Sequence, residues 1–83
     1  MKLKKFYAEW CGPCKGLTMV INGALEKTDV TIENIDIDSN IMESVEYGVK
    51  SVPTLVLVDD AGKEIKRAVG MMNEAQFLEF VKV

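Results

Sequence analysis

Cys11 and Cys14 are the only thiols in this sequence, and within AEWCGPCKG (Ala8–Gly16) just Gly12 and Pro13 separate them. Two thiols at that spacing suit three kinds of chemistry: a structural disulfide, half of a metal site, or reversible electron exchange. As a staple the pair is poor. The loop it closes is so short that chain entropy gives only about 2 kcal/mol, and strained short loops deliver less. As a zinc site it is half complete, because a closed site wants four ligands and the chain has no His and no further Cys. Only a symmetric dimer pooling two motifs would complete a four-thiolate or iron–sulfur centre, so no metal is expected. Electron exchange remains.

That chemistry needs elements that hold the two sulfurs apart in character. LKKFYA (Leu3–Ala8) reads as a strand ending at the motif, and from Gly12 to about Lys27 the apolar positions Leu17, Val20, Ile21, Ala24 and Leu25 recur at helical spacing. Cys11 then lies at or just before a helix N-terminus, where partial positive charge favours thiolate over thiol. Cys14 lies one turn in, on the same side and within bridging distance. Pro13 suits the first turn, where its missing N–H would be orphaned anyway. The placement predicts one exposed, activated sulfur and one sheltered partner that resolves it.

Further along, VTIENIDID (Val30–Asp38) alternates as a strand whose phase slips around Asn34. Asn40 with Glu43 has the pattern of a capping box, opening a short helix that Gly48 closes. VPTLVLVDD (Val52–Asp60) is a near-continuous apolar run, expected of a strand covered on both faces. DDAGK (Asp59–Lys63) is a hairpin turn, and the paired aspartates are turn chemistry rather than metal ligands. EIKRAVG (Glu64–Gly70) returns as a strand. Asn73 with Gln76 caps a last helix carrying Phe77, Leu78, Phe80 and Val81. The order is β-α-β-α-β-β-α, with the first two strands parallel through a right-handed crossover and the last two an antiparallel hairpin.

The 83 residues make a single domain over positions 1–83, and 48% hydrophobic residues can build its core. A net charge of −3 with Lys and Glu interleaved argues against nucleic acid as a ligand. The longest apolar stretch is far too short to span a bilayer, and nothing reads as a signal peptide, so no membrane association and a cytoplasmic setting are expected. In a reducing compartment an isolated cysteine pair is more often catalytic than structural.

WCGPCK (Trp10–Lys15) resembles the active-site motif of the thioredoxin family, and SVPTLVLVD (Ser51–Asp59) is similar to that family's second signature. EYGVKSVPT before it and AVG (Ala68–Gly70) after it also align, so the resemblance runs from Leu3 to the final helix. It implies a thioredoxin-like α/β fold with a four-stranded mixed sheet flanked by helices. It also implies a thiol–disulfide oxidoreductase that reduces protein disulfides, with Cys11 the nucleophile and Cys14 the resolving thiol. Trp10, Gly12 and Pro13 would shape the loop, with Lys5 grouped beside them. Pro53 would be a cis-proline, Val52 would offer its backbone to substrate, and Gly70 would flank the groove. The pair would be recharged by a separate reductase of the thioredoxin-reductase type, with no bound cofactor, on a monomer.

Three departures stand out. The sequence opens at the strand before the motif, without the strand and helix that precede it in thioredoxins of usual length, and the expectation is a minimal form of glutaredoxin length. The family's buried acid six positions before the first cysteine is Lys5 here, and the lysine often paired with it is Asn34. Lys5 has two readings: an ammonium beneath the cysteines that favours thiolate, or an amine that snorkels to water at an open sheet edge. Two rival functions stay in view, a glutaredoxin-like reductase fed by glutathione and a binding module in which the thiols are incidental. Elsewhere Trp10 is expected at the rim of the site, Glu9 in solvent, and one of Met71 and Met72 in the core.

Overall fold

The computed structural model describes residues 1–82, and its elements follow the expected order. They are β1 (Lys2–Tyr7), α1 (Gly12–Ala24) continued by a 3-10 turn at Leu25–Lys27, β2 (Thr31–Asp36), α2 (Ile41–Glu46), β3 (Thr54–Val58), β4 (Glu64–Val69) and α3 (Glu74–Val81). The four strands form one mixed sheet in the order β2-β1-β3-β4, with β1 parallel to β2 and antiparallel to β3, and β3 antiparallel to β4.

The sheet divides two apolar layers, and side-chain alternation along each inner strand decides which residue enters which. Leu3, Leu55 and Leu57 face α1 and α3, where they meet Leu17, Ile21, Ala24, Phe77 and Val81. Phe6, Ile35, Val56 and Val58 face the other way, with Ile37, Tyr47 and Val49 packed against them. Every residue of β3 is buried, which accounts for the apolar run Leu55–Val58 that follows Thr54. The irregular phase of β2 has the same origin. Ile32 packs on the first layer and Ile35 on the second, opposite Leu3 and Phe6 of β1.

Local signals are kept in part. Asn73 and Gln76 form a reciprocal capping box on α3. Gly48 takes φ +64 after α2, a left-handed position at which glycine carries no Cβ penalty. The capping box expected at Asn40 and Glu43 is a correction: Asn40 makes no side-chain cap on α2. Its Nδ2 donates instead to the Asp36 carbonyl at 3.2 Å, inside a turn that Asp36 closes by accepting the Asp38 N–H at 2.9 Å. That turn competes for the side chain and wins.

On the α2 side of the sheet, the Lys4 ammonium meets Glu33 at 3.0 Å and Glu43 at 2.6 Å. The hydrogen bond from Lys4 holds the Glu33 carboxyl below its usual value. A depressed carboxylate contributes stability that is present above the unfolded pKa and is lost as pH falls through the folded one. Urea midpoints should therefore decline as pH drops below about 4.5. Glu33→Gln should flatten that decline, and an equally steep acid limb in the variant would remove Glu33 from the account.

Candidate active site

β1 ends at Tyr7, and its continuation runs straight into the cysteine turn. The Cys11 N–H donates to the Ala8 carbonyl at 3.1 Å, folding the chain back at the head of α1. Cys11 is the N-cap of that helix, in extended conformation, with Pro13 in the first turn. Its Sγ accepts the Cys14 N–H at 3.1 Å, so one of the orphan donors of the helix end points at this sulfur. The two cysteines are joined as a disulfide with their Cα atoms 5.3 Å apart.

Cys14 is sheltered as expected, whereas Cys11 is less open than expected. Cys11 is 4% exposed and Cys14 2%, packed with Ala8 and flanked by Tyr7, Ile37 and Val52. The expectation of an exposed Cys11 is corrected: in the disulfide state it is closed by packing with Ala8 and against Tyr7, Ile37 and Val52. The open ground lies around it: Trp10 is 70% exposed, and Glu9, Gly12 and Pro13 are exposed. The Trp10 indole N–H donates to Asp38 at 3.0 Å, which lays the ring along the rim.

The second part of the site comes from the loop before β3. The Val52–Pro53 peptide is cis. Val52 packs against the cysteine cluster, and Pro53 is buried behind it. The Pro53 carbonyl accepts the N–H of Gly70 at 2.9 Å, bringing the end of β4 to the same place. Gly70 has φ +95, a conformation closed to most side chains. Among Met71 and Met72, the first is exposed and the second packs on the core. No cluster of three or more potential metal ligands occurs among the described residues.

Lys5 sits on β1 rather than in the loop, and it is 4% exposed. The snorkelling reading is corrected here. β1 is an inner strand, with Asn34 of β2 and Leu55 of β3 on either side of Lys5, so no sheet edge is open to the amine. Its Nζ donates to Thr18 Oγ1 and, at 3.3 Å, to Asn34 Oδ1, and it lies 5.4 Å from the Tyr7 ring centroid. Burial pushes its pKa below the ordinary lysine value. Thr18 was not singled out by sequence, yet its hydroxyl donates to the Cys14 carbonyl at 3.0 Å and so links the amine to the cysteine turn. The only signal for it is spacing, four residues after Cys14, the reach of a helical hydroxyl to its own backbone. A cavity of about 300 Å³ opens beside this group, lined by Lys5, Cys14, Thr18, Asn34, Glu9 and Lys15 among others.

Comparison with known proteins agrees with this geometry. The family model described as Thioredoxin matches residues 2–83. A thioredoxin of Chlamydia trachomatis is 46% identical over 77 residues, covering 92% of this chain and 74% of that protein. One from Mycobacterium tuberculosis is 41% identical over 78 residues, 92% of this chain and 66% of that protein. Among solved structures, a thioredoxin variant from Halobacterium salinarum superposes with a TM-score of 0.88 at 40% identity, covering 96% of this chain and 70% of that one. Thioredoxin 1 from Thermosipho africanus gives 0.83 at 27% identity, covering 98% and 90%.

Proposed function

The chain belongs to the thioredoxin family and reduces protein disulfides by thiol–disulfide exchange at Cys11 and Cys14, and we propose a division of labour between the two sulfurs. Cys11 attacks and Cys14 resolves. The observation that supports this is the N-cap position of Cys11, whose sulfur receives the Cys14 N–H. The same donor and the positive end of α1 would stabilise a Cys11 thiolate once the disulfide opens. That thiolate attacks a disulfide of the partner protein, forming a bond from Cys11 Sγ to one partner sulfur and expelling the other as thiolate. Cys14, as thiolate, then attacks Cys11 Sγ, restores the intramolecular disulfide and releases the reduced partner.

Trp10, Gly12 and Pro13 present the loop. The backbone of Val52 beside cis-Pro53 lies next to the cysteines, where it can pair with an extended substrate segment, and Gly70 leaves that groove without a side chain. In this reading the protein is one domain over residues 1–83, a cytoplasmic monomer with no bound cofactor, and a flavin-dependent reductase of the thioredoxin-reductase type recharges it. The test is turnover of a protein disulfide with either that reductase and NADPH or glutathione as electron source. The flavoenzyme should sustain turnover and glutathione alone should not. Equal rates with glutathione would transfer the protein to the glutaredoxin-like reading, and no reduction with either would leave a binding module.

A further inference from the structure

Lys5 is a buried cation with no anionic partner in contact with it among the described residues. Its amine meets two neutral oxygens, those of Thr18 and Asn34, and the face of Tyr7. No ion pair involving it occurs among the described residues, although Lys4 next to it has two carboxylate partners. The titratable groups around the shared cavity are Tyr7, Glu9, Cys14 and Lys15, and of these Glu9 and Lys15 offset each other in charge. An ammonium buried without an anionic partner is costly. It is kept here on a strand position whose partner Thr18 reaches the Cys14 carbonyl.

We propose that Lys5 is a positioning residue for the exchange reaction, the built-in counter-charge of the Cys14 thiolate that exists only in the reduced protein. When a partner thiolate attacks Cys11 Sγ, the Sγ–Sγ bond breaks and its electron pair leaves on Cys14 Sγ. The ammonium across the cavity then gains an anion. The partner dithiol is oxidised to a disulfide as this one is reduced, and Lys5 keeps its own proton throughout. A Cys14 thiol that ionises releases its proton to solvent. Thr18 fixes the amine in place by accepting its hydrogen bond while donating to the Cys14 carbonyl. Because the charge stabilises a species present only after reduction, it moves the exchange equilibrium toward the dithiol and makes the protein a stronger oxidant. The coupling is reciprocal, so reduction must raise the Lys5 pKa by as much as Lys5 lowers that of Cys14. This inference rests on the exchange activity proposed above.

The experiment compares the native protein with Lys5→Met. Thiolate absorbance in the reduced proteins should show the Cys14 ionisation about one unit higher in the variant, a tenfold loss of thiolate. The exchange constant against a reference dithiol should shift toward the disulfide, little at pH 6 and by about tenfold at pH 9, which is about 30 mV. A merely structural lysine would not produce that pH dependence. Independently of any variant, NMR titration of the Lys5 side chain in the native protein should place its midpoint higher after reduction. Agreement of both proteins within twofold at every pH, or a Lys5 midpoint unmoved by reduction, would overturn the role of Lys5. Exchange that persists in either case leaves the Cys11–Cys14 reading intact, whereas a native protein without exchange removes that reading itself.

Discussion

Cys11→Ser should abolish reduction of a protein disulfide, with a loss of at least about 10³-fold, while Cys14→Ser should react once and stop. A serine hydroxyl is not ionised at neutral pH and forms no disulfide, so replacing the attacking sulfur removes the only step that contacts the partner. Replacing the resolving sulfur removes the step that lets the partner go. Intact-mass measurement after mixing Cys14→Ser with an oxidised substrate protein should then show a stable covalent adduct through Cys11. The asymmetry follows from placement rather than exposure, since both sulfurs are almost closed in the disulfide state. Cys11 precedes the helix, between exposed Trp10 and Gly12, whereas Cys14 lies inside the first turn and faces the Lys5 cavity. Adducts of equal yield on Cys14 in Cys11→Ser would reverse the assignment.

The second large effect is on stability. Phe77→Ala should cost about 3–5 kcal/mol, because the ring is fully buried where α3 meets α1 and the sheet, and its loss leaves a cavity. A chain of this size has a total stability of about 4–12 kcal/mol, so the variant would lose a large share of it. The thermal midpoint should fall by at least about 12 °C. Phe80, half-buried under the Lys66 ammonium, serves as the control. Its replacement by alanine should cost clearly less. Equal losses at the two positions would show that burial of Phe77 in the first apolar layer does not set the difference.

The fold was readable from sequence because its signals are local and agree with one another. The cysteine turn follows a strand and precedes a helix with an apolar stripe, and β3 announces two-sided burial through the apolar run Leu55–Val58. Boundaries were read less well where a special backbone intervenes: the run beginning at Val52 becomes strand only from Thr54, since the cis peptide occupies the positions before it. Asn40 has the composition of a cap but answers to Asp36, a competition that spacing alone cannot decide. Around the site, the cysteines, Pro53 and Gly70 were marked by motif. The surroundings of Lys5 were not. Strand alternation assigns its face, but what closes over that face depends on β2 arriving from the far side of a helix and on a hydroxyl from α1. Both are tertiary facts.

The strand order also sets a problem of timing. β1, the inner strand that carries Leu3, Lys5 and Phe6, leaves the ribosome before either of its neighbours. Its antiparallel partner begins only at Thr54. At ordinary rates of synthesis that partner follows roughly fifty residues later, after about 2–10 s. For that interval Leu3 and Phe6 have no second strand to pair with, and the early β1–α1–β2 unit lacks the leucines of β3 that complete its apolar layer. Pairing across so long a stretch of chain is also the slow step expected of a sheet built from non-local contacts. Nascent chains halted before Thr54 should therefore be open to protease, and chains released after α3 should be resistant, because the middle of this sheet is made first and completed late.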